Sequence, residues 1–301
     1  MRSKSVTTHV PATTANLGPG FDCLALALDI WNHATFTLEG EGIHLKISGE
    51  GSGQLIEDKR NLIAKSVIKF FRFFNFSEPI GLQIRCENNI PLGSGLGSSA
   101  AAVVTGLLGA NALLGHIASP DDLLDLATDI EGHPDNVTAA LFGGLSIVIK
   151  EGEHFIHHKV DIPELEVAVA VPKFELPTQV ARSALPKAVP LSDVIYNLGR
   201  TALVVEGLRT NNLTLIQSAL KDRIHQPYRI KLLPGASEAM KAAIENGATA
   251  VALSGAGPSV IAFTEKETKK IAEIMVNAYK CEEITARPYT LSTIVNGAYV
   301  D

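Results

Sequence analysis

The chain has 301 residues, of which 46% are hydrophobic and 19% charged, and its formal net charge is −6. That length supports two domains with a sizeable core, so neither disulfides nor a structural metal is required. The acidic balance leaves no basic surface for a nucleic-acid backbone, and three scattered cysteines (Cys23, Cys86, Cys281) fit a reducing compartment rather than a disulfide framework or a zinc site.

The N-terminal segment lacks the apolar core of a signal peptide. The longest apolar run, residues 99–115, follows directly on a glycine-rich turn and reads as a buried helix rather than a membrane span. A cytoplasmic protein without nucleic-acid or membrane partners is expected. In chain order, short β-like stretches come first, at Ser5–Val10, Ala34–Leu38 and Ile43–Ile47. After Asn61, residues Ile63, Val67, Phe70, Phe71 and Phe74 recur at helical spacing. Ile80–Cys86 alternates, which places Ile80, Leu82 and Ile84 on one face of a strand. A glycine turn and an Ala-rich helix over Ser99–Leu114 follow.

Ser119, Pro120 and Asp122 then supply a cap, a first-turn proline and a capping box, with Leu123, Leu126, Ala127 and Ile130 as the buried stripe. Gly143–Gly144 lead into a strand at Leu145–Ile149, and the polar stretch Lys150–Lys159 marks a boundary between units at 1–160 and 161–301. The second unit holds a strand at Glu166–Val171 and helices over Asp193–Leu208 and Ala236–Asn246. A strand–turn–strand over Ala248–Thr264 precedes a helix with Ile271, Ile274, Met275 and Ala278 on one face. Strands and helices alternate without strict βαβα order, so the class is α+β.

The most informative segment is Pro91, Leu92, Gly93, Ser94, Gly95, Leu96, Gly97, Ser98, Ser99 and Ala100. Glycines at alternate positions permit positive φ and close approach to a ligand, and successive amides in such a turn form an anion nest. Ser98 and Ser99 are expected to cap the next helix, whose N-terminal dipole favours phosphate. A serine hydroxyl there can also reach a Mg²⁺ ion accompanying a triphosphate. The spacing is neither a Walker loop, nor a dinucleotide fingerprint, nor a nucleophile elbow. A loop that merely turns a strand into a helix is the plain alternative, and it accounts less well for the paired serines and the long apolar helix behind them.

This segment resembles the phosphate-binding motif of the GHMP kinases (galactokinase, homoserine kinase, mevalonate kinase and phosphomevalonate kinase). Leu253–Ser259 is similar to their C-terminal glycine motif, and Val10–Asp22 resembles the N-terminal motif of the homoserine-kinase branch. The resemblance implies a two-domain fold, with an N-terminal ribosomal-protein-like βαβ domain and a C-terminal ferredoxin-like α+β domain. It also implies ATP and Mg²⁺, L-homoserine as acceptor, and a homodimer. By the same resemblance Asn61 and Leu62 border the adenine, residues 91–100 hold the phosphates, and Ser99 and Glu131 ligate the metal. Asn16, Asp22, His133, Asn136, Thr178, Arg182, Arg229, Gly255 and Gly257 line the acceptor pocket. Asp22 and Asn16 suit an ammonium group, and the planar fork of Arg182 or Arg229 suits a carboxylate.

The resemblance, judged by distance to Gly143–Gly144, also places Asn136 at the position of the superfamily's catalytic Asp, with Asp135 just before it. A neutral amide cannot take a proton, so neither residue is assigned as general base. Alternatives of different kinds are a mevalonate- or shikimate-type kinase and a non-catalytic sensor of the same fold. Asp22 separates the first of these, because mevalonate has no ammonium group.

Overall fold

Apolar patterning in the first half of the chain resolves into one large sheet backed by helices. The structure, a computed structural model, describes residues 5–301. Strands β1 (Ser5–Ala15) and β2 (Leu24–Thr37) pair antiparallel, with a register shift between Pro11 and Ala12. β2 begins at Leu24, well before the expected Ala34. Leu24, Ala25, Leu26, Ala27 and Leu28 are all buried, so both faces are apolar and the alternation that marks a strand is absent.

β3 (Gly42–Gly49), α1 (Leu62–Phe73) and β4 (Gly81–Asn88) make a βαβ unit with β3 and β4 parallel. The Asn61 side chain caps α1 by accepting the Ile63 N–H. Leu82 and Ile84 face the core as expected. Ile80 does not: it precedes β4 and is 85% exposed. Next comes α2 (Ser98–Leu113), buried on nearly every side. α3 (Pro120–Glu131) carries the expected capping box and stops at Gly132, whose φ of 87° only glycine adopts readily. That stop places Glu131 at the lip of the cleft.

α4 (Asp135–Phe142) was not expected; β5 (Leu145–Glu151) is the expected strand, and β6 (His154–Val160), paired with it as a hairpin, occupies the polar stretch read as a boundary. Along β6 exposed residues alternate with half-buried ones, so its polar residues reflect a wet sheet edge.

The second half contains β7 (Glu166–Pro172), α5 (Thr178–Ser183), α6 (Leu191–Arg209), α7 (Leu213–Ala219), α8 (Gln226–Arg229), α9 (Ala236–Glu245), β8 (Ala250–Leu253), β9 (Val260–Phe263), α10 (Thr268–Cys281) and β10 (Ala286–Ser292). Its antiparallel sheet runs β10-β7-β9-β8, the ferredoxin-like order. Ala239 and Ala243 of α9 and Ile271, Met275 and Tyr279 of α10 share one core against it. β11 (Tyr299–Val300) then returns to pair with β1, so the chain's end belongs to the first sheet rather than to the second unit. Among the described residues no helix is long and apolar enough to cross a membrane.

Candidate active site

Three backbone turns converge between the two sheets. At the end of β1, Asn16, Leu17 and Gly18 all have left-handed φ angles, of 69°, 42° and 70°. Such strain in non-glycine residues persists only where neighbours over-determine it. Here Gly255 N–H donates to Ala15 O at 3.1 Å. The Asn16 amide donates to Gly255 O at 2.8 Å and accepts the Asp22 N–H at 3.0 Å. Asn16, expected on an ammonium group, is therefore first a brace between the N-terminal turn and the C-terminal glycine turn.

Gly93, Gly95 and Gly97 all have positive φ. A Cβ on Gly95 would run into the Ser254 and Gly257 carbonyls, so this glycine serves the contact between the two turns. Gly97, itself left-handed, stands at the N-cap of α2 with no side-chain cap. The expected capping by Ser98 and Ser99 does not occur, because both already lie in the first helical turn. The Ser99 hydroxyl instead donates to Glu131 Oε2 at 2.6 Å. Ser94 Oγ closes its own turn on Pro91 O, while Leu96 and Ala100 are fully buried, so these three shape the nest through their backbone.

Two cavities meet at this helix end, since Gly93, Ser98 and Ser99 line both. The wider, about 560 Å³, is bordered by Leu55, Ile56, Asn61, Leu62 and Leu92. Pro91 lies outside it, on a neighbouring hollow. The tighter, about 120 Å³, brings together Asn16, Asp22, Glu131, His133, Asp135, Asn136, Thr178, Arg182, Arg229, Gly255 and Gly257. In it Arg182 and Asp22 face each other in two parallel 2.8 Å hydrogen bonds.

Arg229 is 1% exposed, and among the described residues no carboxylate lies within ion-pair reach of it. Its Nη1 donates to Gly255 O and to His225 Nδ1, each at 3.3 Å, and its Nε has no partner. Burial pulls its pKa down, which is the sign of a cation short of an anion. Phe21 lies between the two arginines, its ring 5.4 Å from the Arg182 guanidinium and 5.1 Å from that of Arg229.

On the opposite wall, Asp135 is 2% exposed. Its Oδ1 accepts the Asn136 N–H at 2.8 Å and lies 3.4 Å from both Asn136 Nδ2 and His133 Nδ1. Thr13 Oγ1 donates to Asn136 Oδ1 at 2.8 Å. Burial favours a neutral His133 ring, but the Asp135 and Glu131 carboxylates outweigh it and raise its pKa. Burial likewise raises the pKa of Glu131, against the Ser99 hydrogen bond. Asp135 thus orients two neighbours. The Asp135→Asn variant is expected to raise the acceptor KM about 10-fold while the acidic limb of the kcat profile survives. Loss of that limb with a roughly 10²–10⁴-fold drop in kcat would make Asp135 the general base.

Sequence reasoning missed Thr13, Phe21, Asp222 and His225. Thr13 sits in a buried strand, where threonine is ordinary. The Asp222 carboxylate accepts the N–H groups of Ile224, His225 and Gln226 at 2.8, 2.9 and 2.6 Å, which fixes the turn into α8. Burial holds the His225 pKa below its ordinary 6.5. The unfolded chain therefore takes up a proton that the native state resists, and stability falls as pH drops below about 6.5. Melting temperatures measured from about pH 8 down to about pH 5 should decline on this account, and less steeply in His225→Gln.

The fold and the paired cavities define a class, and comparison with known proteins agrees. Residues 61–144 match the family described as GHMP kinases N terminal domain, and residues 204–281 match GHMP kinases C terminal. Homoserine kinase of Synechococcus sp. (strain CC9605) is 41% identical over 98% of this chain and 96% of its own length. The Moorella thermoacetica homoserine kinase is 39% identical over 97% and 98%. The crystal structure of homoserine kinase from Cytophaga hutchinsonii shares 30% identity, with a TM-score of 0.87 over 100% of this chain and 98% of that one. The chain belongs to the GHMP kinases and, within them, to the homoserine kinase family. An L. major mevalonate kinase, at 14% identity and a TM-score of 0.72, shares the fold alone.

Proposed function

We propose that this protein transfers the γ-phosphoryl group of ATP to the side-chain hydroxyl of L-homoserine, forming O-phospho-L-homoserine and ADP. The observation that carries the reading is the buried Arg229 with its unpartnered Nε, facing Asp22 and Arg182 across a cleft of about 120 Å³. A small zwitterion answers that arrangement: its carboxylate meets the Arg229 and Arg182 forks, and its ammonium meets Asp22. On entry the acceptor exchanges one protein ion pair, Arg182 with Asp22, for two of its own.

The wider cavity takes the nucleotide, and the amides of the glycine turn at the start of α2 hold its phosphates where the two cavities meet. Catalysis of phosphoryl transfer is largely positioning and charge neutralisation. Ser99 Oγ and Glu131 Oε2, two hard oxygen ligands 2.6 Å apart, fit Mg²⁺. When bound there, the ion neutralises phosphate charge. Asn136, held by Thr13 and Asp135, orients the attacking hydroxyl, and the proton leaves to phosphate or solvent.

A coupled ADP-release assay across homoserine, mevalonate, galactose and shikimate tests the assignment. Homoserine is expected to be the best acceptor, and comparable kcat/KM for mevalonate or galactose overturns it.

A further inference from the structure

His225 lines neither of the two site cavities, yet its ring is fully constrained. Nε2 lies 2.7 Å from Gly18 O, and a carbonyl oxygen only accepts, so Nε2 carries the proton. A neutral ring then presents a lone pair at Nδ1, and the group facing that lone pair is Arg229 Nη1 at 3.3 Å. The side chain is 0% exposed, stacks on Phe21 at 5.2 Å, and has its backbone N–H held by the Asp222 carboxylate. It has no room to turn. Gly255 O takes the other Nη1 proton of Arg229, so the protein occupies one end of the guanidinium and leaves Nε to a bound anion.

We infer that His225 is a positioning residue for the reaction: as the Nε2–H tautomer, anchored on Gly18, it aims the Arg229 guanidinium at the acceptor carboxylate. The same ring ties that arginine to the strained Asn16–Gly18 turn, so the carboxylate and ammonium ends of the pocket are set by one side chain. This rests on the reading that Arg229 binds a carboxylate.

Two substitutions separate the two edges of the ring. His225→Asn keeps an acceptor near Nδ1 and loses the Gly18 contact, whereas His225→Gln keeps a donor near Nε2 and loses the acceptor. The Gln variant is expected to raise the homoserine KM about 10-fold, with kcat and the ATP KM within about 3-fold. The Asn variant, which keeps the acceptor and loses the Gly18 anchor, should raise the homoserine KM by a smaller factor, about 3-fold, and a rise as large as that of the Gln variant overturns the role of the Nδ1 acceptor. 3-Aminopropan-1-ol, which is homoserine without its carboxylate, should inhibit wild type and the Gln variant with the same Ki.

An unchanged homoserine KM in the Gln variant overturns the inference, as does an equal penalty for 3-aminopropan-1-ol. Independently of any variant, the ¹⁵N shifts of the wild-type ring should report Nε2–H with an unprotonated Nδ1 that responds to homoserine. An Nδ1–H tautomer overturns the proposal. A wild-type enzyme that releases no ADP with homoserine sinks instead the reading on which it rests.

Discussion

Replacing Arg229 with methionine is expected to raise the homoserine KM by about 10²-fold or more while the ATP KM changes less than about 3-fold. The side chain is almost wholly enclosed, and its Nε has no partner among the described residues. A bound carboxylate therefore gains a charge-assisted, desolvated contact that no surface arginine supplies. Methionine fills a similar length of stem and removes a buried cation that has no ion-pair partner among the described residues. Thermal stability should change little, because the lost hydrogen bonds to Gly255 O and His225 Nδ1 are offset by relief of the desolvation cost. Steady-state kinetics with each substrate varied in turn, beside a melting curve, check both halves. A normal homoserine KM would mean the carboxylate binds elsewhere, and a collapse in melting temperature would make Arg229 a structural cation.

Glu131→Gln should have the other large effect, lowering kcat by roughly 10²-fold and raising the Mg²⁺ concentration needed for half-maximal rate. The carboxylate sits at the end of α3, in contact with the Ser99 hydroxyl at the start of α2. A neutral amide preserves the shape and the hydrogen bond but is a poor ligand for a hard cation. Ser99→Ala, which removes a neutral ligand, should do less. A Mg²⁺ titration of both variants, with folding verified by circular dichroism, separates the metal role from packing. An unaltered Mg²⁺ requirement in Glu131→Gln would remove this residue from the metal site.

Much of the fold is legible in the sequence, and each part that is not has a physical cause. α1 and α3 could be read because each has one wet face and a side-chain cap, Asn61 and Ser119. The start of β2 could not, because Leu24–Leu28 is buried throughout and loses its alternation. β6 was missed for the opposite reason: its residues alternate between exposed and half-buried and keep no apolar face. Motif residues such as Arg182, Glu131 and His133 were named through the family resemblance, and the fold brings them to one cavity. Those that hold them were hidden. Thr13 and His225 act by hydrogen bonds across long sequence distances, 123 positions for Thr13 to Asn136 and 207 for His225 to Gly18, and a one-dimensional pattern does not display such partners.

The return of β11 to the first sheet bears on how the protein is made. Thr7 and Asp301 exchange two backbone hydrogen bonds, at 3.0 and 2.9 Å, across the outer edge of β1. Until that late segment has been synthesised, β1 offers a row of unpaired donors and acceptors to any strand that meets it. Mispairing at that open edge during synthesis should therefore lower the yield of folded protein more than it lowers the stability of the finished fold.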